Sequence, residues 1–336
     1  MLPALSILDQ STIVSGRTAA DAIQETLALA RLADGLGYRR YWLAEHHNSE
    51  SHAGSAPEIL IAAIAATTRR IRVGSAGVML PHYAALKVAE QFRALEAIAP
   101  GRIDLGLGRA PGSDGRTAHA LNPNAASAAD HFPAQVRDLL GWLGDGLPEG
   151  HPFRAIRASP QVETRPECWI LGSSDYGAQV AAFFGLPYCF AHFITDGHGA
   201  AEALAIYRET WRGAGKPHGA VAVYALAADT REEAERLFLP RALWRLHRDR
   251  GHYPPLPTAA EAEAHPWTEA ERARVDRMRE SALIGTAAQV REGIADLAAR
   301  LGVAEVAVLT PCHDAAARRR SVTLLAEAFA QVPAAA

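Results

Sequence analysis

The sequence predicts a TIM (β/α)8 barrel with insertions after strands 4 and 7, and three observations carry that expectation. Short β-branched or apolar runs alternate with longer alanine-rich helical stretches, eight times over, as in a parallel sheet covered by helices. The 336 residues exceed the about 250 of a plain barrel and leave room for insertions. The first strand-to-helix turn, Asp9-Gln-Ser-Thr-Ile-Val-Ser-Gly16, lacks the glycine fingerprint that a doubly wound dinucleotide-binding sheet carries there.

Taken in order, the strands are expected at Ala4–Leu8, Arg40–Ala44, Ile71–Met79, Arg102–Leu107, Cys168–Gly172, Pro187–His192, Ala220–Ala227 and Glu305–Leu309. Start signals mark the helices between them. Thr18 precedes an apolar-periodic run ending near Gly35 and Gly37, Ser55 with Pro57 opens the second helix, and Thr286 with Gln289 forms a capping box before Val290 to Leu301. Residues 1–332 read as one barrel domain and 333–336 as a tail. Two connections are too long for turns: about 110–167, with a helix near Ser127–Leu143, and about 238–284, a helical excursion whose tip Tyr253-Pro-Pro-Leu-Pro257 reads as mobile. Excursions at the active-site end of a barrel often serve as lids, although surface decoration fits the second equally well.

Composition narrows the function. Hydrophobic residues make up 49% and charged residues 21%, and the net charge of -3 leaves no footprint for nucleic acid. Three cysteines, Cys168, Cys189 and Cys312, with no C-x-x-C pair, fit a reducing cytoplasm better than a disulfide framework or a zinc site. No apolar run reaches transmembrane length, and the N-terminus reads as a first strand. The alanine-rich outer helices suit a homodimer.

Chemistry in a barrel sits on loops after the strand C-termini, and reactive groups cluster at those ends here. After strand 4 comes Gly106-Leu-Gly-Arg-Ala-Pro-Gly112, whose spacing is G-x-G-x-x-x-G and not the dinucleotide G-x-G-x-x-G. It delivers the Arg109 guanidinium to the mouth, where it can grip phosphate in two places; a surface ion pair is the plainer role. After strand 5, Ser173 and Ser174 stand at the start of a helix expected over Tyr176–Phe184, with free N–H groups that suit an anion. Ser174 could equally be a simple N-cap, and Asp175 counts against a phosphate there. Strand 2 ends Trp42-Leu-Ala-Glu-His-His47. If Trp42 and Ala44 face inward, so does His46, in position for acid–base work, while Glu45 shares the other face with His47. Glu45, His46, His47, His52, His82 and His192 could be read as metal ligands, but they show neither H-x-H nor H-E-x-x-H spacing, so no metal site is expected. Strand 3 carries Gly74-Ser-Ala-Gly77, small residues that admit a flat ring or another backbone.

Together, Trp42-Leu-Ala-Glu-His-His47, Val73-Gly-Ser-Ala-Gly-Val-Met-Leu-Pro81, Pro100-Gly-Arg-Ile-Asp-Leu-Gly-Leu-Gly-Arg109 and Leu171-Gly-Ser-Ser with Gly185-Leu-Pro187 resemble the bacterial luciferase-like, flavin-dependent monooxygenase family. The resemblance implies a barrel that uses reduced FMN and O2 to oxygenate a small organic substrate. Carried over by position, Arg109 would hold the FMN phosphate, with Ser173, Ser174 and the backbone near Pro111 and Gly177 completing the grip. Ala76 and Gly77 would lie against the flavin ring, at a peptide that in this family is often non-prolyl cis, and His46 matches the catalytic histidine. Gly108 stands where luciferase has its reactive cysteine, so light emission is not implied. No segment looks like a nicotinamide site, so a separate flavin reductase is the expected source of reduced cofactor. Two alternatives stay open: deazaflavin-dependent hydride transfer, and flavin binding without turnover.

Overall fold

The computed structural model describes residues 2–144 and 146–330; the tail 333–336 lies outside them. Nine parallel strands form: β1 Ala4–Asp9, β2 Arg40–Leu43, β3 Arg72–Met79, β4 Ile103–Gly108, β5 Glu167–Gly172, β6 Tyr188–Ala191, β7 Gly219–Ala228, β8 Leu283–Thr286 and β9 Glu305–Leu309. Strands β1 to β7 pair in sequence, β9 fits between β7 and β1, and the ring closes. This is the expected TIM barrel. The strand missed from sequence, β8, pairs only with the far end of β7, Ala225 to Ala228. It lies outside the ring, and four residues running into a helix cap are too few to show a period of two.

Alternation along the strands sorts the two faces. Tyr41 and Leu43 join Val73, Leu105, Ile170, Val221 and Val306 in the layer against the helices. Trp42 and Ala44 join Leu8, Trp169, Cys189, Ala220, Ala222, Ala307 and Leu309 inside the barrel. The interior is a packed core. Trp42 and Trp169 meet edge-on with ring centroids 5.0 Å apart, and the small residues opposite make room for them.

The helices follow their caps, with two corrections. Thr18 and Asp21 form a capping box before Ala19–Leu36, which ends on left-handed Gly37 at φ 83°. Thr286 and Gln289 do the same for Ala287–Leu301. Ser55, by contrast, caps nothing: Pro57 begins its helix with Ala56 at the cap position and no side-chain bond, since proline supplies the preset φ by itself. The helix expected near 127–143 is two, Ala125–Asp130 and Phe132–Leu143, because Pro133 has no N–H to continue the first.

The second excursion also differs from expectation. The helix Arg231–Asp249 runs straight through Phe238, so irregular chain begins only after Asp249. The Tyr253-Pro-Pro-Leu-Pro257 tip is tied down. The Leu256 N–H donates to the Ile13 carbonyl at 2.9 Å, the Ser15 N–H donates to the Leu256 carbonyl at 2.8 Å, and the Trp244 indole N–H donates to the Pro254 carbonyl at 3.0 Å. These bonds fasten the excursion across the loop after β1.

Candidate active site

Glu45 organises the barrel mouth. Buried at the end of β2, its carboxylate accepts from His47 Nε2 at 2.7 Å, the Tyr83 hydroxyl at 2.8 Å and the Met79 N–H at 3.2 Å. The His47 N–H then donates to the Gly112 carbonyl at 3.3 Å. One side chain thus joins the exits of β2, β3 and β4, and this leaves His46 on the opposite, interior side, as alternation requires.

His46 Nδ1 is buried with no hydrogen-bond partner. Its ring stacks on His52, with centroids 4.4 Å apart and planes 21° from parallel. Burial, only partly offset by Glu45 and reinforced by His47, holds the His46 pKa down to about 4, and His52 also lies well below its ordinary value for the same first reason. Both are neutral at neutral pH, able to give or take a proton without a standing charge. They border an open cleft of about 690 Å³, with Asn48, Ser49, His252 and Tyr253 on its wall.

Arg109 leaves β4 beside the exit of β5, because Leu107 pairs with Ile170. Its guanidinium carbon sits over Tyr176, 4.1 Å from the ring centroid, a cation–π seat, and it makes no ion pair among the described residues. Tyr176 belongs to the helix Asp175–Phe184, whose N-cap Ser174 is extended but makes no side-chain cap bond. Ser173, half-buried, has no side-chain hydrogen bond among the described residues either. Structure thus brings together an uncompensated cation, two idle hydroxyls and the free N–H groups of a helix start. Gly177 shapes this corner: a Cβ there would stand 3.3 Å from Tyr188 and 3.5 Å from the Gly172 Cα. Pro111 plays a different part, since it lacks an N–H and its carbonyl is held by His82 Nε2 at 2.7 Å. Tyr176 is the contact that sequence reading passed over, an aromatic inside a helix with nothing to distinguish it from core.

The small run in β3 divides in two. Cβ atoms added at Gly74 and Gly77 would come within 2.3 Å of the Asp104 carbonyl oxygen and 2.7 Å of the Gly106 carbonyl oxygen, so these glycines admit backbone. Between them Ser75 Oγ donates to the Gly106 carbonyl at 2.9 Å and accepts the Gly106 N–H at 3.1 Å, at the shift in register after Ser75. Ala76 is the partly open member facing the interior, and its peptide to Gly77 is cis.

Comparison with known proteins now decides the family. A profile described as luciferase-like monooxygenase matches residues 5–305. The chain belongs to that family. It is 43% identical to the uncharacterised protein YwcH of Bacillus subtilis, over 97% of this chain and 99% of the relative. The N-acetyl-S-alkylcysteine monooxygenase of the same organism is 38% identical, over 96% and 97%. The crystal structure of apo-MsnO8 superposes with a TM-score of 0.89 at 37% identity, covering 99% of each chain. More distant structures share the fold: the oxygenating constituent of 3,6-diketocamphane monooxygenase, in complex with FMN (TM-score 0.72, 22% identity, 97% of each chain), and an F420-dependent secondary alcohol dehydrogenase (0.66, 16%, 98% and 99%). Membership in this luciferase-like family places the chain among oxidoreductases. Within its described residues no helix is long and apolar enough to cross a membrane.

Proposed function

We propose that this luciferase-like protein is a cytoplasmic, homodimeric monooxygenase that takes reduced FMN from a separate reductase and uses O2 to oxygenate a small organic substrate. The observation that carries the reading is the corner where Arg109, without a carboxylate partner among the described residues and seated on Tyr176, meets the idle hydroxyls of Ser173 and Ser174. A phosphate monoester fits that donor set, with two guanidinium bonds, two hydroxyls and helix N–H groups. Asp175 is exposed and accepts a hydrogen bond from the Gln179 amide at 3.3 Å.

When bound, reduced flavin supplies two electrons, so that one atom of O2 enters the substrate and the other leaves as water. The chain's own residues do the rest. Arg109, Ser173 and Ser174 hold the phosphate, Pro111 and Gly177 shape the turns around it, and Ala76 with the Gly77 backbone gives the ring a flat seat. Below that seat Leu8, Trp42, Ala44 and Trp169 keep water out. His46, neutral and with Nδ1 uncommitted, moves a proton to or from the reacting oxygen.

The test is to mix the protein and anaerobically reduced FMN with oxygen in a stopped-flow spectrometer. Oxygen consumption that runs well ahead of the return of oxidised-flavin absorbance is expected. If flavin reoxidises as it does in free solution, the monooxygenase reading falls and deazaflavin-dependent hydride transfer takes its place. NADH oxidation by the protein alone, above free-flavin controls, would remove the separate reductase.

A further inference from the structure

A second cationic corner lies across the mouth from Arg109. The helix Arg231–Asp249 carries Arg241, Arg245 and Arg248 at i, i+4 and i+7, one face of a helix. That face lines a cavity of about 50 Å³ together with Gln10, Thr12, His52, Phe193, Trp244 and Leu309. Every wall comes from a strand's C-terminal side: Gln10 and Thr12 after β1, Phe193 after β6, the helix after β7, Leu309 at the end of β9. The cavity therefore opens on the chemical end of the barrel, one ring from His46. Trp244 meets His52 edge-on at 5.6 Å, and His52 stacks on His46.

The charges here do not balance. Arg245 pairs with Asp196 at 3.1 Å, Arg248 with Asp249 at 2.9 Å, and Arg274 with both aspartates at 3.0 and 3.3 Å. Four guanidinium groups, counting Arg241, thus share two carboxylates. Arg241 is the one left out. It is 5% exposed, it makes no hydrogen bond or ion pair among the described residues, and its neighbour is the Tyr224 ring, 3.9 Å from the guanidinium carbon. A buried cation with no carboxylate of its own is costly and rarely kept for stability. Burial, reinforced by Arg245 and Arg248, lowers the Arg241 pKa to about 9, against the weaker support of Tyr224 and of Asp196, a carboxylate that Arg245 and Arg274 already hold. Gln10 and Thr12 add side chains that make no hydrogen bond among the described residues.

We infer that this cavity is the anion subsite of the substrate pocket: Arg241, supported by Arg245 and Arg248, receives the carboxylate of a small organic acid whose oxidisable atom then lies toward His46. The inference rests on the proposed oxygenation for its setting and names the class of molecule oxygenated. It does not rest on flavin for its test. Flavin-free protein is titrated calorimetrically with propionate and, separately, with the isosteric neutral propionamide at constant ionic strength. Propionate is expected to bind saturably and propionamide not, and R241Q is expected to weaken propionate more than about tenfold. Because R241Q removes an unpaired buried charge, its unfolding midpoint should equal or exceed that of the parent. R241K, which retains the charge, should keep part of the binding. Equal binding of acid and amide, propionate binding unchanged in R241Q, or a marked fall in its midpoint would each overturn the subsite, the last by making Arg241 a structural partner of Tyr224. Propionate discrimination together with flavin that reoxidises as in free solution in the stopped-flow test would instead leave the subsite standing and sink the reaction.

Discussion

The two ends of the barrel are both polar, but at one the charges are matched to opposite charges and at the other they are not. At the floor Arg40 is wholly buried and donates to Asp104 and Glu167, each at 2.8 Å, and to Glu305 at 2.9 Å. Arg72 and the Trp42 indole also donate to Asp104, and Ser6 donates to Glu305. Burial pushes the Glu305 carboxyl up, yet the His218 hydrogen bond, Arg40 and Ser6 outweigh it and hold the group at about 2. At the mouth, apart from the Glu45 cluster, key polar groups have no such partners among the described residues: His46 Nδ1 is orphaned, Arg109 has only an aromatic face, and Ser174 stands at a cap without capping. Arg40 Nη2 is left without a hydrogen bond even there, but charge-matched buried networks hold a fold, whereas polar groups kept idle at a cleft are available to a ligand.

That contrast can be broken most forcefully at the floor. Arg40→Met takes from Asp104 and Glu305 the one buried cation that they share and should cost about 3–5 kcal/mol in urea unfolding; a loss below about 1 kcal/mol would mean that the floor is not the keystone described. At the mouth the effect should fall on turnover. His46→Ala is expected to keep flavin binding and lower product formation about 10²- to 10⁴-fold, measured by single-turnover product analysis; unchanged turnover would remove the proton role. Next, Arg109→Ala should weaken FMN about tenfold or more while sparing riboflavin, as expected for one charged hydrogen-bonding partner, and equal loss of both flavins would sink the phosphate assignment. The smallest effects sharpen the contrast between two helix starts. Thr286→Ala removes a working capping box and should cost about 1 kcal/mol, whereas Ser174→Ala should change stability by less than about 0.5 kcal/mol and show itself in FMN affinity alone. Equal stability losses in the two variants would make Ser174 an ordinary cap.

Sequence legibility followed the same division. The capping pairs at Thr18 and Thr286 and the alternation that sends Trp42 and Ala44 inward are local patterns, and the structure reproduces them. Ser55 failed as a cap because Pro57 made it unnecessary, and the supposed mobile tip near Pro254 proved tied to the loop after β1, a contact some 240 positions away that no local pattern reports.

By itself the sequence determined the eight-fold alternation, the order of the motifs and the residue types at the strand ends, because periodicity and capping act between near neighbours. Only the tertiary structure decided which of those residues stay uncompensated. Arg40 and Arg109 each sit near the end of a strand, and Arg241 looks like any arginine on a helix face. Ring closure delivers three carboxylates to Arg40, Tyr176 to Arg109 and, to Arg241, only the influence of an Asp196 already paired with Arg245 and Arg274, since compensation depends on partners far apart in the chain.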